Sequence, residues 1–238
     1  VIFTKTGKLQ PVHKTKYHYK PLSVTTDSNK LFTSYIQPQQ SGNIGKGAFG
    51  TIKRLLPPND MYVSKTIKHK TDGSVSRDTL IELAVCQQIQ NKKNLVGCVN
   101  FSHNKPSSEF KIYYSLYWGS CLDYLYFLGN STVISPKSKI MWELATGLYS
   151  LHQRYIAHAD LKFQNTLCNY DSSIAITDFG ISRHLYPDIK GLRYSYDHNI
   201  QTLTYRSPEV IFNVNYDTKI DIWSLGIMFF EMVTGMAT

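Results

Sequence analysis

The sequence predicts an α+β fold made of two lobes with a cleft between them. Short strand patterns separated by turn residues dominate the first half of the chain, and apolar patterns of helical period dominate the second half. Segregation of strands from helices along a chain is typical of α+β folds. The 238 residues, of which 42% are hydrophobic and 18% charged, suffice for one or two domains with a substantial core.

The first half of the chain is predicted to consist mainly of strands. Residues 1–40 are polar and lysine-rich, and we expect them to form a largely irregular basic extension in front of a domain at 41–238. Strands are predicted near 31–36, on either side of a glycine turn within 43–56, at 61–67, and as a hairpin of 96–101 with 110–117. A helix is predicted at 79–90 from the apolar residues Leu80, Leu83, Ala84 and Val85.

The second half is predicted to depend on two long helices. Pro136 suits the first turn of a helix at 136–152. A second, strongly apolar helix is predicted at 220–233, and short strands flank the polar loop at 158–165. The inner stripe of the first helix comprises Ile140, Leu144, Gly147, Leu148 and Leu151.

The net charge of +9 is unevenly distributed. Residues 1–35 contain six lysines and one acidic residue, Asp27, so +5 of this charge lies in the basic extension. Such a segment can attract nucleic acid, a membrane surface or an acidic partner. Because it lacks the arginines of a stacking platform for nucleic acid, we expect a solvated tail with no specific nucleic-acid partner.

The cysteines and the longest apolar run predict an intracellular location, cytoplasmic or nuclear. Four cysteines form no C-x-x-C pair and lie in apolar sequence, so buried free thiols in a reducing compartment are expected, and no secretory signal is recognised. The longest apolar run, residues 222–233, is shorter than the about 20 residues that a membrane span needs. The cysteines are Cys86, Cys98, Cys121 and Cys168.

A glycine motif, Gly45-x-Gly47-x-x-Gly50, lies between two predicted strands. Glycines let a backbone turn tightly and approach phosphates without a Cβ in the way. The motif alone is a weak signal, and a glycine-rich hairpin without a ligand is the alternative. A dinucleotide-binding turn is less favoured, because a strand rather than a helix follows.

Lys65 and Glu82 form a candidate ion pair. Lys65 shares a face of its predicted strand with Val63, and Glu82 lies on the helix that follows. The lysine can bind phosphates while the glutamate holds it in place. Two unrelated surface charges are the alternative, and Lys53 and Lys68 have poorer spacing for this role.

The loop at 158–165 carries the most informative polar residues. Asp160, Lys162 and Asn165 lie on it, and Asp178 follows in the next strand and turn. Carboxylate and amide oxygens are the ligands that Mg²⁺ prefers. A carboxylate can take the proton of an acceptor hydroxyl, and a lysine can stabilise phosphate charge. Each residue alone is more often a turn former, but their joint order favours phosphoryl transfer from a metal-bound nucleotide.

In this order, the motifs resemble those of the eukaryotic protein kinases of the serine/threonine type. Lys65 and Glu82 match the strand lysine and the helix glutamate of that family, and Asp160, Lys162 and Asn165 match its catalytic loop. Asp178-Phe179-Gly180 matches its magnesium motif, Ser207-Pro208-Glu209 stands where Ala-Pro-Glu is usual, and Asp221 opens a segment that resembles helix F. The residues that resemble its glycine-rich loop are Ile44, Gly45, Lys46, Gly47, Ala48, Phe49, Gly50, Thr51 and Ile52.

The resemblance implies a two-lobed protein-kinase fold that is cut short after helix F. It implies a small β-rich N-lobe at about 41–118 and a larger helical C-lobe at about 119–238. ATP and Mg²⁺ are the implied cofactors, and a protein is the implied substrate. By the same resemblance, Asp160 and Lys162 are catalytic and Asn165 and Asp178 bind the metal. Adenine is expected to bind between Ile52, Val63 and Leu167. The hinge between the lobes is expected at 116–118, and Ser115 is expected to lie at the back of the pocket.

The run at 202–209 is similar to the cyclin-dependent and MAP kinase branch. This similarity implies that Thr202 contacts the catalytic loop, and it suggests a proline-directed substrate preference.

Two departures from the family qualify these expectations. Ala159 stands where the family has an arginine that pairs with a phosphorylated loop residue, and alanine cannot make charge-assisted bonds. We therefore expect activity that does not depend on phosphorylation through this contact. The short C-lobe would leave the apolar helix at 220–233 exposed, so we expect either a truncated product or a regulatory protein that covers this helix.

Two other functions compete with an active protein kinase. A degenerate kinase fold acting as a scaffold would suit the short C-lobe and Ala159, although every expected nucleotide and metal residue is intact. A kinase acting on small molecules is less favoured, because Leu161 and Lys162 after Asp160 and the Ser-Pro-Glu segment are typical of protein acceptors.

Overall fold

The computed structural model describes seven stretches of the chain: residues 40–47, 50–68, 74–104, 109–128, 134–169, 171–185 and 200–235. All of them belong to one of the two units into which the chain divides, residues 38–238. The basic extension and the strand predicted near 31–36 lie outside the described residues.

A five-stranded antiparallel sheet forms the first part of the described chain. Its strands are β1 (Gln40–Gly47), β2 (Gly50–Leu55), β3 (Tyr62–Lys68), β4 (Asn100–Asn104) and β5 (Glu109–Ser115). They are ordered β1-β2-β3-β5-β4. The strand predicted at 96–101 begins later, at Asn100. The preceding residues instead connect the sheet to the rest of the fold, because the Val96 amide donates to the Ile176 carbonyl at 2.9 Å.

Glycine is required where β2 passes close to β3. Gly50 has a φ of +148°, and a Cβ at this position would lie 2.5 Å from the Thr66 carbonyl oxygen. Any other residue would therefore push β2 away from β3. The close pairing aligns Ile52 with Lys65 on β3, and Lys65 in turn with Ile112 on β5.

Helix α1 (Arg77–Gln88) confirms the predicted helix, and its buried side chains include the polar residues Thr79 and Glu82. It begins two residues earlier than predicted, because the Ser76 hydroxyl caps it by accepting from the Thr79 amide at 3.2 Å. Leu80 is 55% exposed, whereas Glu82 is 3% exposed. The side chains that face inward are Thr79, Glu82, Val85 and Cys86.

The later part of the described chain is mainly helical. Its helices are α2 (Cys121–Leu128), α3 (Ile134–His152), α4 (Pro208–Ile211) and α5 (Lys219–Thr234). The predicted inner stripe of α3 is buried. Helix α2 was not predicted; it begins where the Ser120 and Asp123 side chains each accept from the other's backbone amide. The predicted α+β segregation is confirmed.

Short strands position the loops between the long helices. They are β6 (Gly119–Ser120), β7 (Ile156–Ala157), β8 (Thr166–Cys168), β9 (Ile174–Ile176) and β10 (Arg183–His184). Strands β6, β8 and β9 form one sheet, and β7 pairs with β10. Strands β7 and β8 bracket the predicted catalytic loop at 158–165, and β9 leads into Asp178. These loops are thereby held at the edge of a buried core.

Candidate active site

A cleft of about 840 Å³ lies between the five-stranded sheet and the loops that follow α3. Most of the predicted site residues line it: Ile44, Gly50, Ile52, Val63, Lys65, Glu82, Asp160, Lys162, Asn165, Leu167 and Asp178. Gly45, Lys46 and Gly47 complete β1, where Lys46 pairs with Thr51. Thr51 is not among the residues that line the cleft. Ala48 and Phe49 lie outside the described residues, so their predicted role stays a prediction.

The predicted pair of Lys65 and Glu82 is formed in the structure. Lys65 Nζ lies 2.9 Å and 2.8 Å from the two carboxylate oxygens of Glu82, and 3.2 Å from Asp178 Oδ1. Burial lowers the pKa of Lys65, but the Glu82 and Asp178 carboxylates outweigh it and leave the pKa above its ordinary value. Lys65 is therefore a fixed cation at neutral pH.

Tyr114 also bonds to this ion pair, a role that its sequence position did not predict. Its hydroxyl donates to Glu82 Oε1. Burial, together with the nearby Glu82 charge, raises the pKa of Tyr114 well above its ordinary value, so the phenol remains a donor. Ser115 was predicted at the back of the pocket, but the side chain that reaches the ion pair is that of Tyr114. In the sequence, Tyr114 is one aromatic residue within a predicted strand; its pairing with Val63 on β3 is seen only in the structure.

All acceptor positions of the Asp160 carboxylate are used. Oδ1 accepts from the Thr202 amide at 2.9 Å and the Thr202 hydroxyl at 2.7 Å. Oδ2 lies 2.9 Å from Lys162 Nζ and 2.9 Å from Asn165 Nδ2. Burial raises the pKa of Asp160, but these bonds from Lys162 and Thr202 outweigh it, so the pKa lies below its ordinary value. The contact predicted for Thr202 is thus present.

Asn165 and Asp178 fit a magnesium ion that is held partly by phosphates. Asn165 lines the cleft and bonds to Asp160 through its amide nitrogen, so these bonds do not use its amide oxygen. Asp178 uses one carboxylate oxygen for Lys65. Within the described residues, no group of three or more His, Cys, Asp or Glu residues is suited to a metal. A pair of hard oxygens is nevertheless what Mg²⁺ uses when a nucleotide supplies other ligands.

Asp221, at the start of α5, holds the backbone of the catalytic loop by hydrogen bonds. It is fully buried, and its carboxylate accepts from the His158 amide at 2.8 Å and the Ala159 amide at 2.9 Å. His152 Nε2 lies 2.9 Å from the same carboxylate. The sequence placed Asp221 in a motif but predicted no partner for it, because its partners are distant backbone amides.

Ala159 packs into an apolar cluster. Its φ of +66° is unusual for a residue other than glycine. The side chain is fully buried in a cluster that includes Leu185, Ile200 and Ile220. A loop arginine is therefore replaced by an apolar contact. The expected independence from loop phosphorylation stays a prediction, since residues 186–199 lie outside the described part of the chain.

No helix among the described residues is long and apolar enough to cross a membrane.

Comparison with known proteins agrees with this geometry. A protein-family model described as the protein kinase domain matches residues 39–238. A stress-activated protein kinase JNK from Suberites domuncula is 28% identical over 197 residues, which is 81% of this chain and 53% of that protein. The chain thus spans about half the length of this relative. With the catalytic loop, the ion pair and the order of motifs already described, the chain belongs to the eukaryotic protein kinase family and is similar to its MAP kinase branch.

Proposed function

We propose that the chain is an ATP- and Mg²⁺-dependent serine/threonine protein kinase that transfers the γ-phosphate of ATP to protein hydroxyls. The observation that carries this proposal is the geometry of one cleft. Lys65 is held by Glu82 beside Asp178, and Asp160 lies on the loop below with Lys162 and Asn165 bonded to it. The charged groups to which the proposal assigns phosphoryl transfer therefore lie together in one cleft.

Each residue has a separate task in this proposal. Bound Mg²⁺–ATP supplies the phosphoryl group and the metal charge that neutralises it. Lys65 binds phosphate oxygens, and Asn165 and Asp178 hold the metal. When Lys162 turns from Asp160 toward the transferring phosphate, a lone pair of Asp160 Oδ2 becomes available. The acceptor hydroxyl can then donate to that carboxylate, which orients the hydroxyl and takes its proton.

The backbone of Gln201, directly before Thr202, supports a preference for proline directly after the phosphorylated residue. Gln201 has a φ of +58°, and its carbonyl oxygen accepts from the Arg206 guanidinium at 3.0 Å. This carbonyl points to Arg206 and therefore does not accept a hydrogen bond from the backbone amide of a substrate. Proline lacks that amide, so it loses nothing at this position, whereas other residues leave a donor unpaired.

The test is transfer of radiolabelled phosphate from ATP to a Ser-Pro peptide. Lys65→Met and Asp160→Asn are each expected to reduce transfer by roughly 100-fold or more while the fold survives. Lys53→Met is the matched control, because Lys53 lies on β2 and does not line the cleft. Undiminished turnover in either active-site variant would contradict the proposed mechanism.

A scaffold that binds nucleotide without transferring phosphate is the second candidate. It is favoured by Ala159 and by the exposed apolar residues of α5. Wild-type protein that binds ATP but transfers no phosphate to any peptide would support it. A kinase acting on small molecules remains less favoured, because Leu161 and Lys162 after Asp160 and the Ser-Pro-Glu segment are typical of kinases with protein acceptors.

We also infer that a regulatory protein covers the exposed side of α5. A cavity of about 510 Å³ there is lined by Glu209, Lys219, Ile222, Trp223, Gly226 and Ile227. An apolar surface rimmed by one acid and one base is typical of a protein-binding site. An intracellular location is supported by four buried cysteines that form no disulfide.

A further inference from the structure

We propose that Gln201 is a positioning residue, whose side-chain amide holds the substrate-binding segment against the catalytic loop and α5. This inference rests on the proposed kinase activity. It states that one side chain, that of Gln201, holds the substrate-binding segment in its active conformation. Gln201 immediately precedes Thr202, which bonds to Asp160 through both its amide and its hydroxyl. Any displacement of Gln201 is therefore passed directly to the catalytic carboxylate.

The backbone of Gln201 is bonded on both sides. Its amide donates to the Ala159 carbonyl at 2.7 Å, and its own carbonyl accepts from Arg206 at 3.0 Å. Gln201 makes both bonds with a left-handed φ of +58°. Since glutamine does not favour this conformation, surrounding contacts must maintain it.

The side chain supplies those contacts, and it is almost fully buried at 4% exposure. Its amide nitrogen donates to the Ile220 carbonyl and to the Ser224 hydroxyl on α5, both at 2.9 Å. Its amide oxygen accepts from the Ser207 amide at 3.0 Å and from the Ser207 hydroxyl at 3.2 Å. One residue thus connects α5, the start of α4 and the catalytic loop through fully satisfied hydrogen bonds.

This network orders residues 200–207 with neutral groups and one arginine. Ala159, the neighbour of Asp160, contributes a backbone carbonyl to it and no charged side chain. The Gln201 amide therefore does by neutral hydrogen bonding what an arginine–phosphate contact does in kinases that have an arginine before the catalytic aspartate. The Thr202–Asp160 contact is expected to form in the chain without a phosphate in this segment.

The test compares Gln201→Met and Gln201→Gly with wild type, using the whole chain. Methionine keeps the length of the side chain but forms no equivalent hydrogen bonds. Glycine adopts the left-handed backbone without strain and removes the side chain altogether.

Both variants are expected to lower kcat for a Ser-Pro peptide by roughly 10- to 100-fold, as a small misplacement of a catalytic group does. KM for ATP should stay within about twofold, because no residue that binds nucleotide is touched. Gln153→Met, at an exposed position, is the matched control.

The possible outcomes separate the inference from the proposed function. A wild-type chain that transfers no phosphate would overturn the proposed function and this inference with it. An active wild type with wild-type kcat in the Gln201→Gly variant would overturn the inference alone, since the backbone would then suffice. Equal losses in kcat and in ATP affinity would indicate general disruption and would also overturn it. If Gln201→Met does not fold, Gln201→Gly decides the matter by the same readouts.

Discussion

At the scale of single residues, Tyr114 has a role that a conservative substitution can isolate. Its hydroxyl donates to the carboxylate that holds Lys65. Hydrogen bonds to charged groups are worth about 1.5–3 kcal/mol. Tyr114→Phe is therefore expected to lower kcat/KM for ATP by roughly 10- to 100-fold, measured by steady-state kinetics, without loss of the fold.

A neighbouring tyrosine provides the control for this prediction. Tyr113 is also buried, but its hydroxyl bonds to the Ser102 hydroxyl at 3.1 Å and does not contact the ion pair. Tyr113→Phe should leave kcat/KM for ATP unchanged. Equal effects of the two substitutions would mean that burial of a phenol, rather than the bond to Glu82, determines the result.

The Asp160 carboxylate couples the stability of the fold to pH. Its pKa is lower in the folded chain than its ordinary value of 3.8, because the bonds from Lys162 and Thr202 outweigh burial. A depressed carboxyl pKa stabilises the fold above the unfolded pKa, and this contribution is lost as the pH falls through the folded pKa. The difference in free energy of unfolding between wild type and Asp160→Asn should be constant from pH 7 to about 5 and shrink below about 4. Urea denaturation across this range measures it, and a constant difference down to pH 3 would contradict the prediction.

The residues that sequence predicted best are those whose chemistry is visible from type and order. Lys65, Glu82, Asp160 and Asn165 belong to a set of motifs, and the structure brings them to one cleft. Tyr114 escaped prediction because an aromatic residue in a strand is most often core packing, and its bond to Glu82 joins residues 32 positions apart.

At the scale of elements, two helical glycines should respond to the same substitution with opposite signs. A Cβ on Gly147 in α3 would lie 2.7 Å from the Asn94 carbonyl oxygen, whereas nothing lies within 4 Å of a Cβ on Gly226 in α5. Alanine is favoured over glycine in a helix interior by about 1 kcal/mol. Gly226→Ala should therefore raise the midpoint of thermal unfolding.

Gly147→Ala is expected to lower that midpoint despite the same gain in helix propensity. The Asn94 oxygen belongs to the backbone, so α3 must move away from the segment that leads to Leu95 and its bridge with Ile176. Because each variant serves as the control for the other, calorimetry of both tests the argument. A stabilised Gly147→Ala variant would show that α3 does not depend on this close approach.

The elements were predictable where hydrophobic period and burial agree. The inner stripe of α3 was predicted and is buried, because the apolar residues of this helix recur on one face only. In α1 the apolar residues indicated the helix correctly but not all of its buried side chains: Leu80 is exposed, whereas Glu82 is buried and bonds to Lys65. A buried ion pair from another element cannot be deduced from the hydrophobic pattern of one helix.

At the scale of the whole molecule, the described residues leave one face of α5 uncovered. Residues spaced three to four apart on this helix share a face, and five of them are about half exposed. They are Ile222, Trp223, Phe229, Phe230 and Val233. The opposite side of α5 is buried through Ile220, Met228 and Met232 and supports the catalytic loop through Asp221. One helix thus carries both the foundation of the active site and an apolar surface.

This surface is expected to make the chain self-associate when no other protein covers it. Exposed apolar patches bind other apolar surfaces, because association removes them from water. The double substitution Phe229→Gln and Phe230→Gln should shift sedimentation toward the monomer and reduce binding of a hydrophobic dye. Since both side chains are half exposed, the free energy of unfolding should change by less than about 1 kcal/mol.

A buried residue of the same helix provides the control. Met228 is fully buried, so Met228→Gln should destabilise the fold by roughly 2–5 kcal/mol. Unchanged sedimentation and dye binding in the double variant would mean that this face of α5 is not the surface through which the chain associates.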